Sequence, residues 1–264
     1  MRRGVVFFMN TEKQLSYMYV AIHSLLQHYN GPVGFTHKNV GQRYLDELQK
    51  CGVECVEYSK HLSGRAQKRE SWIGKAYAHN EHPFDVNLCY DLDCEFLKPI
   101  TEEMFDIVQE HELSLIGYDT PPGHERKKRI HLSRAIGQEV GPLLAVNSGF
   151  TGSLKGSPKI DEWHNYMQLI NKSGSVLRLN PEEWGLAAMR AFNRVHLADR
   201  SWCAAVLPED LSENDIACHY MAGSAWKHKR WLAAAKVVVA QNFMHADDWG
   251  VFPDIKQRYE NAVM

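Results

Sequence analysis

No two of the six cysteines, Cys51, Cys55, Cys89, Cys94, Cys203 and Cys218, form a CxxC pair, so neither a zinc ribbon nor a thioredoxin-like motif is written into the chain. Several stand in apolar segments, where they read as reduced core residues. The fourteen histidines include no HExxH or similar local ligand set and read mostly as surface or supporting residues. Long apolar runs are also missing. No stretch approaches the ~20 uninterrupted apolar residues of a membrane helix, and the run Val5 to Met9 behind Arg2-Arg3 is too short for a signal peptide. The expectation is a soluble, cytoplasmic protein with no membrane partner. An excess of either charge is lacking too. With 30 Lys+Arg against 32 Asp+Glu, the formal charge is -2, so a nucleic acid would have to be held by a local patch. There is no internal repeat and no low-complexity linker, and 264 residues at 44% hydrophobic content suit one domain, residues 1–264, with a sizeable core.

What is present is an alternation of short apolar runs with amphipathic segments. Val5 to Met9 is a continuous β-branched and aromatic run, as in a central strand covered on both faces. Leu15, Met18, Tyr19, Ile22, Leu25 and Leu26 recur at spacings of three and four, which predicts a helix closing at Asn30-Gly31-Pro32. Strands follow at Val33 to Thr36 and Val53 to Tyr58, with a helix from Val40 to Cys51 between them and Gly52 after its last turn. Further strands are expected at Val86 to Tyr90, Leu113 to Tyr118, Leu143 to Val146, Ala204 to Leu207 and Ile216 to His219. Helices are expected at Trp72 to His79, Thr101 to Gln109, Ile160 to Ile170 and Ser224 to Ala240. One more is expected from Pro181 to Phe192, capped by Asn180. Asp119 to Gln138, with Pro121-Pro122-Gly123 and the run Arg126 to Arg129, reads as a long surface excursion. The alternation predicts an α/β fold with a doubly wound, mostly parallel sheet flanked by helices.

Asn87-Leu88-Cys89-Tyr90-Asp91-Leu92-Asp93 carries the chemistry. An apolar strand ends there in two carboxylates one residue apart, and on a pleat both project from one face. Two anions at the C-terminal edge of an open α/β sheet invite a divalent cation and a phosphorylated ligand, although an isolated Asp-x-Asp also reads as a solvated turn. Two later segments stand out: Asn147-Ser148-Gly149 after an expected strand, and Cys218-His219-Tyr220-Met221-Ala222-Gly223 followed by Trp226-Lys227.

Together and in this order these features resemble the GT-A glycosyltransferases, specifically the glycogenin-like and galactosyltransferase-like enzymes of glycosyltransferase family 8, over roughly residues 4 to 230. The resemblance implies a GT-A fold, with residues 1–118 as the nucleotide-binding half and 119–264 as the acceptor-side half. It implies Mn²⁺ or Mg²⁺ held by Asp91, Asp93 and His219, and a nucleotide-sugar co-substrate, a UDP-sugar first among them. Asn10 and Thr11 would meet base and ribose, although they also read as a strand-ending cap. Lys75 stands before the Asp pair as a lysine does in those enzymes. Asp91 and Leu92, with Asn147, Ser148 and Gly149, would approach the sugar and phosphates. Gly223 and Lys227, or Lys229 in another register, would pair with the diphosphate, although the family's Gly-x-x-Lys-Pro-Trp has no proline here. Where the family opens an acceptor-side helix with Asp, this chain has Glu182-Glu183-Trp184. Glu183 or Glu182 would supply the carboxylate, Trp184 could stack on a sugar, and the reaction would retain configuration.

The acceptor is left open among a glycan, a protein and a modified nucleic-acid base. Arg65, Lys68, Arg69 and the run Arg126 to Arg129 could track a polyanion or simply face solvent. Two other classes compete. A metal-dependent nuclease wants Glu-x-Lys, and Glu95-Phe96-Leu97-Lys98 is one residue too long. A non-catalytic binding module would keep the fold without turnover.

Overall fold

Val5, Val6, Phe7 and Met9 leave nothing of themselves to solvent and Phe8 very little, and this double-sided burial puts β1 (Arg3–Met9) inside a sheet. In the computed structural model, which describes residues 1–59, 70–118, 125–173, 181–205, 210–220, 228–245 and 250–252, β1 is flanked by two parallel partners, β2 (Val33–His37) and β4 (Val86–Tyr90). β3 (Val53–Glu57) extends the sheet beyond β2. On the other side come β7 (Val146–Leu154), β6 (Leu113–Gly117) and β8 (His196–Ala198), giving the order β3-β2-β1-β4-β7-β6-β8. Only β7 runs against the rest.

The pleat sorts β1 between two cores. Val5, Phe7 and Met9 join the cluster formed with α1 (Leu15–His28), α4 (Glu102–His111) and α8 (Lys229–Ala240), while Phe8 joins that of α3 (Glu70–Ala78), α6 (Pro158–Lys172) and α7 (Pro181–Ala191). Each fully buried Val, Phe or Met contributes roughly 1.5–3 kcal/mol. α2 (Gln42–Lys50) adds Leu45 and Leu48 to the first core, and the chain turns into β3 through Gly52 at φ 81, the left-handed value that favours glycine.

Several expectations are corrected. The strand foreseen at Leu143 to Val146 starts only at Val146 and runs on to Leu154, so Asn147-Ser148-Gly149 lies inside β7, not in a turn after it. Its pairing with β6 jumps from Leu115↔Thr151 to Ile116↔Asn147, which loops Ser148, Gly149 and Phe150 out of that ladder; such bulges re-aim side chains beside sites. The excursion from Asp119 to Gln138 contains α5 (Glu125–Ile136). A narrow apolar stripe, Leu132 with half-buried Ala135 and Ile136, packs on Leu143, Ile170 and Trp184, and the basic run masked it. Residues 119–124 and Asn180 lie outside the described residues.

The strand expected at Ile216 to His219 is β9 (Ala217–His219), but it pairs antiparallel with β5 (Cys94–Phe96), a strand not foreseen, in a separate two-stranded sheet. The strand expected at Ala204 to Leu207 is reduced to a bridge between Ala204 and Cys218, with 206 and 207 outside the described residues, as are 224–227 of the last expected helix. Five of the fourteen histidines, His37, His79, His82, His164 and His219, are buried. All six cysteines are free thiols and four are buried. Among the described residues no helix is long and apolar enough to cross a membrane.

Candidate metal and donor site

β4 stops at Tyr90, so Asp91 and Asp93 stand in the turn that leads to β5 rather than on a pleat. The turn is closed by Cys94 N–H donating to the Asp91 carbonyl at 3.3 Å. β5 pairs with β9 so that Cys94 is opposite His219, and this register carries an imidazole to the carboxylates. His219 Nε2 lies 3.2 Å from Asp93 Oδ1 and 3.5 Å from Asp91 Oδ2. One ligand atom from each of the three lies within 4.8 Å of the others.

The looped-out part of β7 fixes the ring. Gly149 N–H donates to Asn147 Oδ1 at 2.7 Å, which sets the amide's orientation, and the same oxygen stands 3.1 Å from His219 Nδ1. An amide oxygen only accepts, so Nδ1 is the donor and Nε2 is turned toward the carboxylates. A Cβ at position 149 would sit 2.3 Å from His219 Nδ1 and 2.7 Å from Asn147 Oδ1, so a larger residue forces the ring or the amide aside.

Lys75, in the last turn of α3, reaches in from the opposite side. Its buried ammonium donates to Asp91 Oδ1 at 2.5 Å and to the Ser148 carbonyl, and stands 3.3 Å from Glu182 Oε1. Burial works against its charge, but Asp91 and Glu182 outweigh burial and hold the ammonium well above the ordinary lysine range. Glu182 is almost wholly buried. Glu183, one residue on, is half-buried and lines a cavity of about 150 Å³ with Lys128, Val146, Trp184 and Ala187; burial, with Asp91, pushes its carboxyl up. Trp184 belongs to the core under α5, with Lys128 Nζ 5.4 Å from its ring centre, which leaves little ring face for a sugar.

Burial opposes the charge on His219, but the hydrogen bond and charge of Asp93 raise it to about 9. The Asp93 carboxyl, which burial alone would push up, is held below its ordinary 3.8 by His219. The two signs oppose each other. The raised imidazole stabilises fully below its ordinary 6.5 and loses that contribution as pH rises through about 9. The depressed carboxyl stabilises above 3.8 and loses its contribution as pH falls. Denaturant unfolding in chelator should therefore show stability falling between 6.5 and about 9, and His219→Gln should remove that slope.

Of the other residues singled out in the sequence, Asn10 follows the end of β1 at the same sheet edge as Asp91, since Phe7 pairs with Tyr90. Thr11 caps the short helix Glu12–Gln14, its side chain accepting from Lys13 N at 3.4 Å. Leu92 is buried in the main core, so it offers only its backbone. Ser148 offers its carbonyl to Lys75. Lys229 opens α8 and is exposed, while Gly223, Lys227, Arg65, Lys68 and Arg69 lie outside the described residues. Glu95, the acid a nuclease would need, is held by Arg230 at 3.0 and 3.1 Å and by the Tyr220 hydroxyl.

No protein-family model matches the chain, and no curated protein matches it in sequence. Solved structures do. Mouse xyloside xylosyltransferase 1 in its apo form is 12% identical, covering 83% of this chain and 97% of that one at a TM-score of 0.58. The galactosyltransferase LgtC, in complex with donor and acceptor sugar analogues, is 12% identical, covering 89% and 95% at 0.58. The bifunctional glycosyltransferase WbbM is 12% identical and covers 98% of this chain at 0.61, this chain spanning 52% of that one. The fold is the GT-A fold of glycosyltransferases, as the resemblance in sequence implied.

Proposed function

We propose that this protein is a metal-dependent glycosyltransferase that moves a sugar from a nucleotide-diphosphate sugar to an acceptor hydroxyl. The observation that carries the reading is the meeting of Asp91, Asp93 and His219, with the imidazole turned by Asn147 so that Nε2 joins two carboxylates. Two carboxylate oxygens and one imidazole nitrogen suit Mn²⁺, or Mg²⁺ with more water, better than a soft ion. When bound, the ion would neutralise the diphosphate and ease its departure. The GT-A folds of LgtC with donor and acceptor sugar analogues and of xyloside xylosyltransferase support the same class.

The chain's own groups divide the work. Lys75 holds Asp91 and the Ser148 carbonyl in place, so the Asp turn and β7 keep a fixed distance. Its pairing with Glu182 leaves Glu183, not Glu182, as the carboxylate facing the cavity beside β7. We assign the donor to the edge formed by Asn10, Thr11, the Asp turn and Asn147–Gly149, and the acceptor to the cavity at Glu183. The 1–118 and 119–264 halves then share the site, because Asn147 and His219 come from the second. Retention and a UDP donor follow the family resemblance.

Incubating the protein with Mn²⁺ and a panel of nucleotide-sugars tests the reading. Hydrolysis or transfer of one donor is expected. Tight binding of a donor without turnover would make the chain a binding module, and no binding to any would end the proposal. The Gly149→Ala variant should displace His219 and weaken Mn²⁺ binding about 10–100-fold, as loss of ligand support does in other sites, measured by paramagnetic resonance of free Mn²⁺. Affinity equal to the parent would remove His219 from the ligand set.

A further inference from the structure

Beneath Lys75, on the face of the sheet covered by α3, lies a second group of ligand-type side chains that the proposed reaction does not use. His79 and His82 stand in the turn that follows α3, and Cys89 is on β4 two residues before Asp91. None of the three is accessible to solvent. One nitrogen from each imidazole and the Cys89 sulfur all lie within 4.8 Å of one another.

Both rings are oriented from behind. His79 Nδ1 is 2.7 Å from Ser153 Oγ, and His82 Nδ1 is 2.7 Å from Thr36 Oγ1, while Nε2 of each is buried without a hydrogen-bond partner. Two orphaned imidazole nitrogens are costly in a dry interior, and a ring held through Nδ1 with Nε2 free is how a ligating histidine is normally presented. The sheet face around them is polar as well. Thr151, which pairs with Cys89, and Asn87, which pairs with Ser153, each have a buried oxygen without a partner. Water could satisfy hydroxyl and amide oxygens, but it gives no reason for a thiol facing two imidazoles.

We propose that His79, His82 and Cys89 form a buried site for one thiophilic d¹⁰ cation, Zn²⁺ or Cu⁺. Two imidazoles and a thiolate suit either ion and not Mn²⁺ or Mg²⁺, so the site is chemically separate from the Asp91, Asp93 and His219 group. Cu⁺ with the Cys89 thiolate leaves no net charge beside the Lys75 ammonium, whereas Zn²⁺ leaves one positive charge. On binding, the Cys89 proton passes to solvent and the sulfur bonds the ion. Because the site is closed, the ion enters as the chain folds or when the turn after α3 opens. Bound there, it would pin the end of α3 to β4, one helical turn from Lys75 and two residues from Asp91.

The test uses the full chain carrying Asp93→Asn, which weakens the other metal group. Native mass spectrometry after exposure to Zn²⁺, or to Cu⁺ without air, should show one ion retained per chain, and the stronger competitor against a chelator names the ion. Co²⁺ in place of Zn²⁺ should give a sulfur-to-cobalt charge-transfer band, because among the described residues this is the only such group containing a cysteine. Cys89→Ser and His82→Gln should each lower affinity at least about 10-fold. Retention of neither ion, or binding undiminished in both variants, would overturn the site. Should the variants fail to fold, the Co²⁺ spectrum of the Asp93→Asn chain decides, a missing sulfur band counting against the proposal and a present one for it. None of these readings depends on sugar transfer, so the two proposals fail separately.

Discussion

Lys75→Met is expected to lower the free energy of unfolding by about 3–5 kcal/mol, the usual result of removing one partner from a buried ion pair. The side chain is 7% exposed and Glu182 only 2%, whereas Asp91, at 28%, still reaches solvent. Methionine matches the stem in length, so packing changes little, but Glu182 then loses its ammonium and the Ser148 carbonyl loses a donor. Glu182 sits almost wholly buried in the first turn of α7, with its backbone carbonyl held by the Trp163 indole N–H at 3.1 Å. The raised pKa of Lys75 gives a further check on sign. A raised group contributes in full below its ordinary 10.5, so the loss should be constant across neutral pH. Denaturant titration measures it, and adding Glu182→Gln should recover part of the loss, with a coupling of about 0.5–3 kcal/mol. A single variant as stable as the parent would show that the pair is not the buried contact described here.

How far such a site can be read from sequence depends on the length of the elements that carry it. β4 was legible to the residue because its apolar run is bounded by turns at both ends, and the Asp pair came with it, though as a continuation of the pleat and not as the turn it is. The doubly wound sheet followed from the same kind of run at β1 and β2 and from the Val53-Glu54-Cys55-Val56-Glu57 stretch of the half-exposed β3. The strand at Ile216 to His219 was legible as β9, but β5 was not, because three residues give no periodicity to detect, and the register between the two, which brings His219 to Asp93, is not written in either. The Asn147 turn was placed one element too late. A strand containing Asn-Ser-Gly has poor strand propensity, and only the jump in its pairing with β6 explains why β7 continues through it. Of Glu182 and Glu183 the sequence could not say which faced inward, since the answer rests on a lysine more than a hundred residues earlier. The pair His79 and His82 does not stand out among the histidines of the sequence, because Cys89 joins it only once α3 lies on β4.

Asp93→Asn is expected to lower Mn²⁺ affinity at least about 100-fold while leaving the fold close to intact. The magnitude is argued from below: losing a group that merely supports a ligand costs about 10–100-fold, and an anionic ligand replaced by an amide oxygen should cost no less. The small effect on folding follows from the chemistry of the imidazole. When the carboxylate goes, His219 loses the partner that raises it to about 9, and an imidazole can shed its proton and stay buried as a neutral ring still held by Asn147. Above about pH 9, where the parent's His219 is neutral as well, we expect the melting temperature to move by less than about 4 °C, the scale of a 1 kcal/mol change in a domain near this size. Donor hydrolysis with Mn²⁺ should fall in step with metal occupancy, and saturating Mn²⁺ should restore part of it. A variant that turned over donor at the parental rate, or that needed no more Mn²⁺ than the parent, would take Asp93 out of the ligand set. A variant that unfolded would instead mark Asp93 and His219 as a structural ion pair, with Nε2 engaged in holding β9 to the Asp turn rather than in receiving a cation.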